Sequence, residues 1–150
     1  MPTLETTARN AGIDAITALF DVGGAGDLDI SGLFTWNSGT QQGAGETNAN
    51  GNIALGASSK TLQRVLNNAA TATWTAGNIF ISTGASGDGV FNNLMGATFD
   101  AQGDDNIQWI GGSPVFNNIG TFLKSAGTMT TAVLSMPFNN NGTVGRLLTR

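Results

Sequence analysis

The chain has 150 residues, a formal net charge of −4 and only 11% charged residues, whereas about 25% is typical of soluble domains. Its 6 Lys and Arg residues are too few to form the basic stripe that phosphate backbones require, so we expect no nucleic-acid partner. Because Cys and His are both absent, disulfides, thiolate and imidazole metal sites, and Ser-His-Asp or Cys-His nucleophiles are excluded. We therefore expect no metal and no other cofactor.

The sequence also lacks the patterns that lead a chain into or across a membrane. No apolar run reaches the roughly 18 residues of a spanning helix, and the N-terminus shows neither the basic region nor the apolar block of a secretory signal. We therefore expect no membrane partner and no Sec-dependent export.

Residues 3–21 are the only stretch with helical periodicity. Thr3 can cap the start of a helix there, and the pair Gly23 and Gly24 can end it. We predict one N-terminal amphipathic α-helix with a glycine-rich hinge over residues 1–26, followed by a β domain over residues 27–150. The apolar residues that would share one face of this helix are Leu4, Ala8, Ala11, Ala15 and Leu19.

Downstream of the hinge, a doubled asparagine recurs behind an apolar residue in four similar phrases. The pairs begin at Asn67, Asn92, Asn117 and Asn139, in steps of 25, 25 and 22 residues. Asn tolerates left-handed backbone at a corner, and its amide both donates and accepts hydrogen bonds, so stacked copies can bond to one another. We therefore predict a structural ladder of eight side chains: Asn67, Asn68, Asn92, Asn93, Asn117, Asn118, Asn139 and Asn140.

A repeat of this length is too short for a propeller blade and has no helix for a leucine-rich unit. It fits a β-solenoid, in which each coil stacks on the previous one and equivalent residues align. We predict an all-β fold: a short right-handed parallel β-helix, or solenoid, of about four coils of 22–25 residues each, preceded by the N-terminal helix.

Residues 60–145 contain "LNNAATATWTAGNIFIS", "FNNLMGATFDAQGD" and "FNNIGTFLKSAG". They resemble the Asn-rich solenoid repeats of bacterial and phage surface and filamentous β-helix proteins, in which such phrases recur coil by coil. The resemblance implies the fold and a structural or adhesive role, and it implies no catalytic residue.

Residues 1–30, "MPTLETTARNAGIDAITALFDVGGAGDLDI", are similar to the opening of small tailed-phage structural proteins. Those proteins begin with an alanine-rich helix and a Gly-Ala linker that leads into a β domain. The similarity implies a virion protein on the capsid surface, such as a capsid decoration (cement) protein whose partner is the major capsid protein.

Three other motifs have a functional and a structural interpretation. "DLDISG", from Asp27 to Gly32, matches half of a calcium loop, but Ser38 stands where a bidentate Glu is needed, so an alternating strand is favoured. "W-x-x-G" begins at Trp36, Trp74 and Trp109, where the rings either stack on sugars or fill the core, and core filling is favoured.

The only carboxylate cluster is "DAQGDDN". Two carboxylates on a β-helix can cleave glycosidic bonds. In a strand, Asp104 and Asp105 would point to opposite faces, so the candidate pair is Asp100 with one of them. Four coils offer little length for a substrate groove, and a solvated loop is favoured.

Together these patterns favour a non-enzymatic virion structural protein, a homotrimeric capsid decoration protein that stabilises joins between capsomers. The alternative is a tail-fibre or tailspike segment that binds host glycans through exposed aromatic rings. The turn after Asn93 is longer than its counterpart after Asn118, so Leu94 and Met95 should bulge from the coil as a candidate interface with a neighbouring subunit.

Overall fold

A computed structural model describes residues 3–6, 10–13, 16–18, 21–129, 131, 133–134 and 136–147. Throughout these residues every regular element is a β-strand. In the same part of the chain, no helix is long and apolar enough to cross a membrane.

The strands are short, and only two of them exceed four residues. In chain order they are β1 Thr3–Thr6, β2 Asn10–Ile13, β3 Ile16–Ala18, β4 Asp21–Gly24, β5 Leu28–Ile30, β6 Phe34–Trp36, β7 Gly39–Ala49, β8 Ile53–Leu55, β9 Lys60–Asn68, β10 Thr71–Trp74, β11 Ile79–Ile81, β12 Thr83–Gly84, β13 Gly87–Asp88, β14 Val90–Asn93, β15 Thr98–Ala101, β16 Ile107–Trp109, β17 Val115–Asn118, β18 Thr121–Lys124, β19 Val133–Leu134, β20 Phe138–Asn140 and β21 Thr143–Arg146.

These strands form a parallel β-solenoid with three walls. Wall 1 is the 7-stranded sheet β3-β6-β8-β10-β15-β18-β21. The 12-stranded sheet bends round a corner, because β7 and β9 belong to both of its halves. Wall 2 is β1-β4-β7-β9-β11-β16-β19, and wall 3 is β2-β5-β7-β9-β14-β17-β20. The chain passes from wall 2 to wall 3 to wall 1 and then repeats, and only the hairpin β12–β13 is antiparallel.

The solenoid has about six turns, so the prediction of four coils is wrong. On wall 1, Phe34 pairs with Ile53 and Ile53 with Ala72, which gives turns of 19 residues in the N-terminal half. The next turn, from Ala72 to Phe99, is longer because it includes the hairpin β12–β13. The Asn-Asn pairs recur only in the longer C-terminal turns. Their period therefore gives no sign of the 19-residue turns that precede them.

The predicted N-terminal α-helix is also wrong, because β1 to β4 occupy the described part of the same segment. Ala8, Ala15 and Leu19 of the predicted helix face lie outside the described residues. β1 pairs with β4, β2 with β5 and β3 with β6, all parallel, so the segment belongs to the stack itself. An isolated helix of this length is marginal in water, and β-branched residues such as Ile13, Ile16 and Thr17 suit strands. Parallel neighbours that complete the backbone hydrogen bonds outweigh a weak local helix preference.

The interior differs between the two halves of the solenoid. In the C-terminal half it is a phenylalanine stack: Phe91 lies on Phe116 with ring centroids 4.7 Å apart, and Phe99 lies on Phe122 at 5.1 Å. In the N-terminal half the buried side chains are mixed: Phe34 and Trp36 lie with aliphatic residues and with polar ones, including Gln41 and Thr47. Like residues lie over like in the C-terminal half, where Phe91 pairs with Phe116, whereas Phe34 pairs with Ile53 in the N-terminal half.

Glycines allow the corners of successive turns to approach closely. A Cβ on Gly120 would lie 2.2 Å from the carbonyl oxygen of Ala97, and one on Gly142 would lie 2.1 Å from that of Gly120. Neither oxygen can move away, because both belong to the backbone of the turn below. At these positions the backbone of one turn fills the space that a side chain would need.

We expect Gly120→Ala to destabilise the protein by at least about 1 kcal/mol, because the new methyl group forces two corners apart. Gly145→Ala is the matched control, since its Cβ would meet only a Leu123 methyl group at 3.7 Å, and it should change stability by less than about 0.5 kcal/mol. Urea unfolding followed by tryptophan fluorescence measures both. Equal losses in the two variants would contradict this account of the corners.

Candidate functional site

An inner ladder of asparagines runs through the interior at the end of wall 3. Asn68, Asn93 and Asn118 are fully buried. Each Nδ2 donates to the Oδ1 of the Asn at the equivalent position in the next turn. The distances are 2.9 Å from Asn68 to Asn93, 2.8 Å from Asn93 to Asn118 and 2.7 Å from Asn118 to Asn140. The Nδ2 groups also donate to backbone carbonyls of the following turn, those of Thr98, Thr121 and Thr143. The ladder therefore satisfies its own buried amides and ties each turn to the next.

An outer ladder follows the solvent side of the same wall. The Nδ2 of Asn92 donates to Asn67 at 2.8 Å, that of Asn117 to Asn92 at 2.8 Å, and that of Asn139 to Asn117 at 2.9 Å. In this ladder each amide donates to the preceding turn, which is the reverse of the inner ladder. The predicted asparagine ladder is confirmed, and it consists of two antiparallel files of amides.

The outer ladder continues beyond the predicted residues. Asn67 donates to Asn48 at 2.8 Å, and Asn48 donates to the carboxylate of Asp29 at 2.8 Å. Register pairs Asp29 with Asn48 and Asn48 with Asn67. Their spacing of 19 residues equals the length of the N-terminal turns. It is visible in the sequence, but these positions carry no doubled asparagine before Asn67.

The corner between wall 3 and wall 1 exposes large apolar side chains. Met95 is 83% exposed, Ile119 of the next turn is 42% exposed, and Leu33 of an earlier turn is 47% exposed. Leu94 is half-buried, and its carbonyl accepts a bond from the Ala97 amide at 3.0 Å, which closes the turn. We name Leu33, Leu94, Met95 and Ile119 the apolar corner.

The carboxylate cluster begins in β15 with Asp100 and continues into the following loop, where Asp104 and Asp105 bind neighbouring backbone. Asp104 accepts hydrogen bonds from the amides of Thr128 and Met129 and from Lys124 Nζ, all within 3.1 Å. These bonds, led by that from the Thr128 amide, lower the pKa of Asp104 to about 2. Asp105 accepts the Gly77 amide at 3.0 Å, and Asp100 accepts Gln102 Nε2 at 2.8 Å. A glycosidic general acid needs a raised pKa, and that of Asp104 is shifted the other way.

The half calcium loop is an alternating strand, as favoured. Leu28 and Ile30 of β5 are buried, and Asp29 between them faces outward into the outer ladder. Asp27 accepts the Glu46 amide at 3.0 Å. Among the described residues there is no group of three acidic side chains that could hold a metal ion.

In two of the three W-x-x-G motifs the indole N–H closes a corner, whereas the buried Trp36 Nε1 has no hydrogen-bond partner. Trp74 Nε1 donates to the carbonyl of Gly77 at 2.8 Å, and Trp109 Nε1 donates to that of Gly112 at 3.0 Å. Both glycines have a φ of 79°, which favours glycine. Trp36 and Trp74 are buried, so core filling is confirmed for them, whereas Trp109 is 45% exposed.

Two cations inside the solenoid were not predicted. β9 alternates strictly, so Lys60 and Arg64 point inward with its leucines, and each is no more than 2% exposed. Lys60 Nζ donates to the carbonyl of Ala76 at 3.2 Å, and Arg64 donates to that of Gly26 at 3.1 Å. Burial lowers the pKa of Lys60 to about 8, although Asp105 opposes the shift. The period-2 pattern of "KTLQRVLNN" was the available signal.

We expect Asn93→Ala to cost about 3 kcal/mol or more, because it leaves Asn68, Asn118 and the Thr121 carbonyl short of a partner in the interior. Asn92→Ala is the matched control: its ladder neighbours are half-exposed and can bond to water, so the loss should be about 1 kcal/mol. Chemical denaturation of both variants decides the point. A larger loss for Asn92→Ala would contradict the assignment of the inner ladder as the structural one.

We expect stability to rise between about pH 8 and pH 10.5, because over this range the unfolded chain binds the Lys60 proton and the folded chain does not. The slope is at most about 1.4 kcal/mol per pH unit. The chain has no His, Cys or Tyr to mask it. Lys60→Met should flatten the profile, and Thr61→Met, on the outward side of the same strand, should keep it. A flat wild-type profile measured by urea unfolding would contradict the burial of Lys60.

Comparison with known proteins yields no relative from which a function could be transferred. No protein-family model, no curated protein and no solved structure matches the chain.

Proposed function

We propose that the chain is a non-enzymatic structural protein of a virion, a capsid decoration protein that contacts the major capsid protein and stabilises joins between capsomers. The observation that carries the proposal is the apolar corner, where Met95 and Ile119 of successive turns are exposed, together with Leu33 of an earlier turn. Such a surface is typical of a protein contact.

A reinforcing protein has to resist deformation, and the solenoid is built for this. Backbone hydrogen bonds join every turn to the next, and in the C-terminal half the inner ladder and the phenylalanine stack run along the same axis. Cementing requires only complementary buried area and no chemistry. A stiff body with an exposed apolar corner meets that requirement.

The carboxylates support a structural role. Asp104 holds the loop that contains Thr128 and Met129, and Asp105 holds the Gly77 corner. A catalytic carboxylate has to remain available to substrate. The alternative, a tail segment that binds host glycans through exposed aromatic rings, has less support, because Trp36 and Trp74 are buried and Trp109 is exposed.

Within the apolar corner, we propose that Leu94 and Met95 contact a neighbouring copy in a homotrimer, and that the rest of the corner contacts the major capsid protein. Met95 lies at the tip of a turn that is two residues longer than the turn at Ile119, with Gly96 at a φ of 82°. An 83% exposed methionine gains nothing from the interior of its own chain. Its burial against a neighbouring copy removes apolar surface from water at about 25 cal/mol per Å².

Immunogold electron microscopy of virions from the strain that encodes the chain tests the class of function. Antibody raised against the purified protein should decorate the capsid surface. Label on tails or fibres alone would contradict the capsid assignment, and particles without label would overturn the proposal of a virion protein.

We expect Met95→Asp to dissociate the homotrimer, because a charge would be buried at the contact. Ile110→Asp is the matched control, since Ile110 is 54% exposed and lies at another corner of the solenoid. Light scattering after size exclusion measures both masses. A monomeric wild type, or a Met95→Asp trimer as stable as the control, would overturn the assignment of the corner.

A further inference from the structure

The outer ladder retains hydrogen-bonding capacity that the inner ladder has used. A primary amide has two N–H donors and two acceptor lone pairs. Asn93 and Asn118 each donate both to the next Asn and to a backbone carbonyl. Asn92 and Asn117 each donate only to the preceding Asn and accept only from the following one, within the described residues. Each therefore keeps one donor and one acceptor for a ligand.

An apolar file runs beside these amides on the same outward face. Val65, Val90 and Val115 pair in register, two residues before the outer asparagines on their strands. Side chains two residues apart on a strand share a face. The outward face of wall 3 thus alternates a file of methyl groups with a file of amides, repeated at the strand spacing of about 4.8 Å.

The amides also line a cleft of about 520 Å³, which is formed by Asn92, Asn117, Asn139, Asn141 and Ile119 together with the edge of the last turn. None of the side chains that line it is charged. The carboxylates on this face, Asp29 and Glu46, belong to earlier turns of the same wall. Their negative charge disfavours an anionic ligand, and the uncharged cleft has no counter-ion for one.

We infer that this outward face of wall 3 binds a neutral linear polysaccharide. Sugar hydroxyl groups donate and accept, as the spare amide groups do, and the C–H faces of the rings match the valine file. A polymer can contact successive turns, so weak contacts add along its length. The cleft adjoins the apolar corner at Ile119, and the inference does not depend on the proposed capsid function.

Native gel electrophoresis in gels that contain dextran, mannan, galactomannan or xyloglucan tests the inference, with alginate as the anionic comparison. At least one neutral polymer should retard the wild-type protein, and alginate should not. The double variant Val90→Lys with Val115→Lys should raise the dissociation constant at least tenfold. The control, Thr98→Lys with Thr121→Lys, places the same charges on the same turns of wall 1 and should bind as wild type does. Absence of retardation in every neutral gel, or equal retardation of both double variants, overturns the inference.

A second readout uses the unmodified protein, so it does not depend on the folding of a variant. Side-chain amide NMR signals are recorded with hexasaccharides of the polymer that retards the protein. The signals of Asn92 and Asn117 should shift, and those of Asn93 and Asn118 should not. Shifts confined to Trp109 would place the binding elsewhere and overturn the inference.

Discussion

The structure depends on one constraint, the in-register stacking of parallel strands at about 4.8 Å. Such stacking places every residue directly over its equivalent in the next turn, so each position must tolerate its own repetition. Apolar residues tolerate it as stacked rings, such as Phe91 on Phe116. Asparagine tolerates it inside the protein because its amide both donates and accepts, and a file of Asn68, Asn93 and Asn118 leaves no rung unsatisfied. Lys60 is not repeated, since it lies between Gly39 and Ile79, and its burial lowers its pKa.

The same constraint explains what could be predicted from the sequence. The recurrence of an apolar residue and two asparagines identified a solenoid because register converts a sequence period into a spatial file. The pairs at Asn92 and Asn117 occur in register as expected. The direction of the hydrogen bonds within each file could not be predicted, because it depends on which face of the strand each amide occupies and on the carbonyls that surround it.

The N-terminal half was mispredicted for a physical reason. Its turns of 19 residues have tight corners rich in glycine, and Gly43 and Gly45 lie against backbone of the turn below. Alanine and leucine at intervals of three and four in residues 3–21 satisfy a helical pattern equally well, and only the presence of stacked neighbours decides between them. The sequence signal for these short turns is the spacing of 19 residues from Asp29 to Asn48 and from Asn48 to Asn67, whose side chains are hydrogen-bonded in one ladder.

The two ladders divide stability from recognition. Asn93 and Asn118 of the inner ladder use both N–H groups and so join the turns, whereas Asn92 and Asn117 of the outer ladder each keep one N–H and one lone pair toward solvent. Hydrogen exchange of the individual side-chain amide protons, followed by NMR, measures this difference directly. Both Nδ2 protons of Asn93 should exchange slowly, and Asn92 should show one slow and one fast proton. Fast exchange of both protons of Asn93, or slow exchange of both of Asn92, would contradict the account.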